Sequence, residues 1–463
     1  MGLESLRKTG ANFFDGNGSF FQRYARKDPL VSFALDAYMV ELQAMTRGGI
    51  AKYLSVFQNK EVEKMKRICF WLVVCLLLSV CSAFADGTAE VSALLEQAQS
   101  AFEVGDYETA VPLLQEAAEK GDATAQNWLG TCYSAGIVVE QDNEQAAMCY
   151  RLAADQGNIP AIYNLASCYL NGDGVEQDAQ KAEELLRTCA DQGDAESQYA
   201  LGYYYFYGRF LEQDYEKAVK YLIMAADQEI APAYYLLGLC SENGWGVEQN
   251  IQEALDYYLT GADWGNDGSQ YRLGVMYQLG IGVNQNDEKA FHYYSLAAEQ
   301  NYPEALTAVG FFYGQGRGTE QNLDEMLKYY TLAAECGEPM AQFNLGCCYR
   351  DGMGVEQNLE EMLRYFRLAV DQGNANAQFN LGFCYYVGMG VDPDYEEAFR
   401  LYQLAADQEF PVAMFAVGDC YYLGNGVEKN MEAAAEWYQK SLDAGYEPDA
   451  EDRKHMEDVM GNK

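Results

Sequence analysis

Only two histidines, His292 and His455, occur in 463 residues, and they stand far apart. Histidine is the usual proton shuttle near neutral pH and the commonest metal ligand. Neither histidine belongs to a His–Cys or His–Asp cluster, so the sequence offers no metal site, no histidine-dependent triad and no cofactor. Carboxylates are the opposite case, with 70 Asp+Glu spread along the chain. No pair stands out by spacing, so they predict a solvated acidic face and not an acid–base pair. The run Gly314-Gln315-Gly316-Arg317-Gly318 has the glycine content of a phosphate loop. Such a loop follows a strand and opens a helix. This run closes a helical segment and reads as a turn. Catalysis is not what these residues are arranged for.

The elements that carry them are internally repeated. Leu129-Gly130-Thr131-Cys132-Tyr133, Leu345-Gly346-Cys347-Cys348-Tyr349 and Leu381-Gly382-Phe383-Cys384-Tyr385 are copies of one phrase. Its glycine recurs at 130, 202, 238, 274, 310, 346, 382 and 418, with Ala166 in the remaining slot, at steps of 36 residues. A strict period means that each unit stacks on the last in the same way. Within a unit, apolar Leu345, Cys348 and Tyr349 follow the i, i+3, i+4 spacing of one helical face. A Gly-x-Gly turn follows, as at Gly352 and Gly354. A second helix then opens on Asp142, Asp178, Asp214, Asn250, Asn286, Asn322, Asn358, Asp394 or Asn430. A cap of that type contributes about 1 kcal/mol. That helix closes on glycine in most units, for which Glu229 and Glu409 are unexpected substitutes and Asn301 a tolerated one. Tyr133 recurs in eight of nine units, and the exception, Ser241, predicts a looser joint.

This phrase, A-x-x-x-LG-x-x-Y-x-x-G-x-GV followed by A-x-x-Y-[YF]-x-x-AA-x-x-G, resembles the Sel-1-like repeat, a relative of the tetratricopeptide repeat. The resemblance covers nine full units over 122–445. Residues 86–121 read as a preceding tetratricopeptide-like pair and 446–463 as a polar closing helix and tail. The fold class expected is all-α: a right-handed superhelical solenoid of about ten helix pairs. The resemblance further implies a non-enzymatic scaffold that binds a protein or peptide along the first helices, which line the concave groove of such stacks.

Ten cysteines follow residue 86. An even number in an exported chain invites a disulfide framework. Yet Cys132, Cys168, Cys240, Cys348, Cys384 and Cys420 share one repeat position with Tyr204, Met276 and Phe312, which marks a core slot. Successive first helices stand about 8–10 Å apart, beyond the ~7 Å that a disulfide spans between Cα atoms. Free buried thiols are expected.

Three sets of positions are candidates for the groove. Three residues before the glycine stand Tyr163, Tyr199, Tyr235, Tyr271, Phe343, Phe379 and Phe415, whose regular recurrence also suits bracing between helices. The residue after the glycine varies between units and includes Tyr203, Phe311 and Phe383; a second variable set includes Phe206, Tyr386 and Tyr422. Aromatic side chains among polar ones suit peptide recognition.

Charge narrows the partner and divides the chain. Residues 86–463 hold 20 basic and 63 acidic residues, a net of −43, against +2 for 1–64. So acidic a body repels nucleic acid and favours a basic protein or peptide. Between the two stretches, Lys66 and Arg67 precede an apolar run from Ile68 to Val80 and the triplet Ala83-Phe84-Ala85. That is the layout of a secretory signal peptide over 65–85. Its position inside the chain suggests that 1–64 are upstream sequence and that Met65 is the natural start. An uncleaved 65–85 would instead be a membrane anchor with the repeats outside, and Cys81 is a weaker candidate for lipidation. A second reading, a cell-envelope hydrolase or a glycan- or peptidoglycan-binding protein, is what the resemblance to exported family members with cell-wall ligands implies; the 37 tyrosines suggest stacking on carbohydrate, but most recur at core positions.

Overall fold

A computed structural model describes residues 89–461; the segments 1–64 and 65–85 lie outside them. The chain divides into compact units Met1–Glu96 and Gln97–Lys463. Of the first, only residues 89–96 are described, and they are helical. In the second, helix α1 continues to residue 103 and α2 spans Tyr107–Glu119. Three repeats follow: α3 (Ala123–Ala135) with α4 (Asn143–Ala154), α5 (Ile159–Asn171) with α6 (Ala179–Asp191), and α7 (Ala195–Tyr207) with α8 (Tyr215–Ala226). The middle three are α9 (Ala231–Asn243) with α10 (Ile251–Asp263), α11 (Asp267–Leu279) with α12 (Asp287–Glu299), and α13 (Pro303–Gln315) with α14 (Leu323–Glu335). The last three are α15 (Pro339–Asp351) with α16 (Leu359–Asp371), α17 (Ala375–Val387) with α18 (Tyr395–Ala406), and α19 (Pro411–Leu423) with α20 (Met431–Asp443). Helix α21 (Ala450–Met460) ends the stack. No strand occurs among the described residues.

The second helices start where their caps require. Asp142 accepts from the Gln145 amide at 3.0 Å, and Asn250 from the amides of Gln252 and Glu253. The equivalent Asp or Asn caps every second helix from α4 to α20. Glu229, Asn301 and Glu409 hold φ of 66°, 62° and 61° at the helix ends where other units have glycine. These side chains therefore accept a left-handed backbone that costs any residue with a Cβ roughly 1–2 kcal/mol.

The repeated glycine has a packing cause. A Cβ at Gly274 would stand 2.5 Å from the Tyr294 ring, and one at Gly130 would stand 2.7 Å from the Tyr150 ring. In most units the second helix sets an aromatic ring against the first helix's backbone, and at Gly202 it sets Leu222 there, 2.7 Å from where a Cβ would stand. In the unit that carries Ala166, the corresponding second-helix residue is Leu186, and both are buried.

Successive units are also joined by paired glutamines. Gln198 is 3% exposed. Its Nε2 donates to the Ala190 carbonyl of the preceding unit at 3.0 Å, and its Oε1 accepts from Gln228 at 2.8 Å. Gln228 in turn donates to the Gly193 carbonyl at 3.0 Å. Pairs Gln126–Gln156, Gln270–Gln300, Gln342–Gln372 and Gln378–Gln408 repeat the arrangement. The bonds of Gln198 and Gln228 give the Ala190 carbonyl a second donor beside the Gly193 amide and supply one to the Gly193 carbonyl at the helix end. Helix α9 touches both α7 and α11 directly. At the end of the stack, Met456 and Val459 of α21 are buried in a cluster with Phe415, Ala434, Ala435 and Tyr438.

All ten described cysteines are free thiols. The six in the repeated slot are at most 7% exposed, which is the core placement expected for them. Cys336 is exposed. Ser241 is 3% exposed, and its hydroxyl reaches Glu253 at 3.5 Å.

Candidate binding face on the first helices

A first helix has a face turned to its own second helix, a face turned to the neighbouring units, and a face left to solvent. The aromatic residues three before the glycine belong mainly to the first of these. Tyr235 meets Tyr258 at 6.3 Å between ring centroids, and Tyr271 meets Tyr294 at 5.6 Å. Phe343 meets Phe366 at 5.7 Å, Phe379 meets Tyr402 at 5.5 Å, and Phe415 meets Tyr438 at 5.4 Å. Phe415 is also covered by Tyr446 at 4.9 Å and is only 9% exposed. These rings brace each helix pair. Tyr163 and Tyr199 have leucines, Leu186 and Leu222, at the corresponding second-helix positions, and their rings remain half-buried.

Two residues of the second variable set are also taken up by packing. Phe206 is 5% exposed, edge-on to Tyr215 at 5.6 Å and Trp245 at 5.7 Å. It is core, not groove, because four residues past the glycine the helix turns toward its own second helix and the next unit's turn. The Tyr386 hydroxyl accepts from Asn425 at 2.9 Å, and its ring packs edge-on to Tyr395 at 5.3 Å. Tyr422 is half-buried with the Lys429 ammonium 5.0 Å from its ring centroid.

The residue after the glycine is where the first helices show apolar surface. Phe311 is 38% and Phe383 43% exposed. Tyr203 is half-buried, with Tyr199 at 6.1 Å and Tyr207 at 4.6 Å between centroids. One helical turn further on, five past the glycine, stand residues that the sequence reading did not single out. Tyr207, Leu279, Val387 and Leu423 are 48%, 62%, 47% and 49% exposed. The signal was available: i and i+4 share a helical face. Together the two positions form a discontinuous apolar row along the solvent face of the first helices.

Between α15 and α17 the row deepens into a cleft of about 460 Å³ lined by Arg350, Asp351, Asn380, Phe383, Cys384 and Met389. Arg350 grips Asp351 through two bonds of 2.8 and 2.9 Å and donates to Asn380 at 3.0 Å. Its guanidinium holds the Asp351 carboxyl below the usual carboxylate range. Burial pushes the Cys384 thiol up to about 11, so it is a neutral wall of the cleft and not a nucleophile. No group of side chains able to hold a metal ion is found among the described residues. No described helix is long and apolar enough to cross a membrane.

Comparison with known proteins agrees with this architecture. The protective antigen of uropathogenic Escherichia coli with an SLR fold is 27% identical, with a TM-score of 0.52, covering 83% of this chain and 94% of that one. A Sel1 repeat protein from Oxalobacter formigenes is also 27% identical, with a TM-score of 0.49, over 67% of this chain and 89% of its own. Curated proteins give no match. The profile of the Sel1 repeat matches ten times, first over 101–122 and then in consecutive units from 123–158 to 411–446. The chain is therefore a member of the Sel1 repeat family, an all-α solenoid of a class of proteins that generally act as protein-interaction scaffolds.

Proposed function

We propose that this protein is an exported, non-enzymatic scaffold that holds a protein or peptide segment against the solvent face of its first helices. One observation carries the reading: exposed apolar residues line that face at positions where residue type changes from unit to unit, as from Ser167 to Tyr203 to Phe383. Residues kept only for stacking would recur, as the bracing rings do. Varied exposed side chains on a regular frame suit selection of a partner, with a few aromatic anchors supplying most of the affinity. A net charge of −39 on the whole chain favours a basic partner. Export rests on the signal-peptide layout of 65–85, and protein recovered from the exporting host should begin at Asp86.

The test is site-specific photo-crosslinking in that host. A crosslinker replacing Tyr207, Phe311 or Phe383 should capture one common partner. The same group replacing Leu152 or Leu404, exposed on second helices, should not. Capture only from the second helices would place the docking surface on the opposite side.

A further inference from the structure

Helix α7 carries one solvent row with no counterpart in the other first helices. Glu196, Tyr199, Tyr203 and Tyr207 follow one another at spacings of three, four and four residues, which places them on a single helical face. Tyr203 is at the centre, with Tyr207 at 4.6 Å, Tyr204 at 5.8 Å and Tyr199 at 6.1 Å between centroids. Tyr163 of the preceding unit adjoins the row. Burial raises the phenols of Tyr163 and Tyr199, Tyr199 up to about 12, with neighbouring tyrosines and then Glu196 adding to the shift. The chain thus assembles several electron-rich ring faces beside a carboxylate.

Tyrosine rings elsewhere in this protein show what such faces attract. Lys181 lies over Tyr169 at 4.7 Å, Lys217 over Tyr205 at 4.9 Å, Lys289 over Tyr277 at 4.8 Å and Arg364 over Tyr365 at 4.1 Å. In each case a cation of the chain itself covers the ring. Helix α7 contains no lysine or arginine between Ala195 and Tyr207. Arg209, just beyond it, is engaged over Phe210 at 5.0 Å. The row therefore has the rings and the counter-charge of a cation site, and Arg209, which lies over Phe210, also acts on Tyr204 beside the row.

We propose that Glu196, Tyr199, Tyr203 and Tyr207 receive the arginine or lysine side chains of a basic partner segment. The rings offer their faces, and Glu196 supplies the opposite charge. This rests on the reading of the first helices' solvent face as the docking surface and adds the chemistry that the docked segment must bring. The rest of the acidic body steers such a segment toward the stack without orienting it. Orientation comes from the rings.

The probe is an eight-residue peptide alternating arginine and glycine, compared with one in which citrulline replaces arginine. Citrulline keeps the shape and removes the charge. Binding to the full chain is measured calorimetrically at 150 mM salt. The arginine peptide should bind at least tenfold more tightly than the citrulline peptide to the natural protein. Tyr203→Leu with Tyr207→Leu should weaken the arginine peptide about tenfold, whereas Tyr203→Phe with Tyr207→Phe should retain it. Glu196→Gln should weaken it several-fold, and Glu356→Gln, the same charge change in an exposed turn, less than twofold. Equal losses for Glu196→Gln and Glu356→Gln would reduce the effect to diffuse charge and overturn the proposal. So would full affinity in the leucine variant, or equal affinity for the two peptides, a comparison that needs no variant to fold. If crosslinks map the natural partner to the first helices' solvent face while the peptides fail to discriminate, this assignment falls and the scaffold reading stands.

Discussion

Gln228 donates to Gln198 across thirty residues at 2.8 Å, and each of the two also holds a main-chain carbonyl of the unit before. A neutral side chain at one end of a repeat thereby reports on the geometry at the other. Replacing Gln198 alone by alanine removes two hydrogen bonds, but Gln228 keeps the Gly193 carbonyl and the Ala190 carbonyl keeps the Gly193 amide, so the cost should be about 1 kcal/mol. Exchanging both for Leu and Cys, the residues found at 306 and 336, should cost less than the single change. Urea unfolding of the two variants decides it.

Gly274 and Tyr294 should behave as a coupled pair. Gly274→Ala pushes a methyl group against the Tyr294 ring and should destabilise by about 3 kcal/mol. Tyr294→Ala in the same chain removes the ring that the methyl group meets and should recover part of that loss. Additive effects in the double-mutant cycle would contradict direct contact.

Relief of backbone strain should be measurable at the two glutamates with positive φ. Glu229→Gly and Glu409→Gly each remove a Cβ from a left-handed position and should stabilise by about 1 kcal/mol, less the entropy that glycine adds to the unfolded chain. A higher thermal midpoint for each, and for both together, is the expected result.

The thiols supply a pH signature. Burial raises Cys240, Cys348 and Cys420 from the ordinary value of 9.0 to about 12. Above pH 9 the unfolded chain loses these protons first, so the folded state binds more protons and its stability falls. The contribution is complete below about pH 9 and lost as pH rises toward 12. Unfolding midpoints should therefore drop on alkalinisation over that window, while reductant at neutral pH leaves the melting transition in place. In the native protein Cys336 should react with thiol reagents well before the six core cysteines.

Phe311→Ala and Phe383→Ala remove rings that are more than one-third exposed, and each should change stability by less than about 0.5 kcal/mol. With the natural partner, each is expected to cost up to about 2 kcal/mol of affinity if it is an anchor. Tyr386→Ala is different: it breaks the bond from Asn425 and should destabilise the stack as well as affect binding.

The period, the helix pairs, the caps and the cysteine slot were all legible in the sequence, because each depends on residues close together in a unit. Phe206 was misplaced for the reason that its neighbours, Tyr215 and Trp245, come from its own second helix and the following turn. The glutamine pairs went unread because Gln126 and Gln156 are each ordinary surface residue types, and their bond spans thirty positions. Tyr207 and Leu279 were passed over because helical spacing ties them to the variable position only when exposure is known.

Each glutamine pair is carried whole within one unit, and what it takes from its predecessor is main chain alone. Any unit can supply a carbonyl. A gene encoding such a protein can gain or lose a repeat in frame without orphaning a donor at the new junction. Related strains should therefore differ in the number of repeats, in whole multiples of one unit, and the reach of the docking surface would be inherited as a copy number.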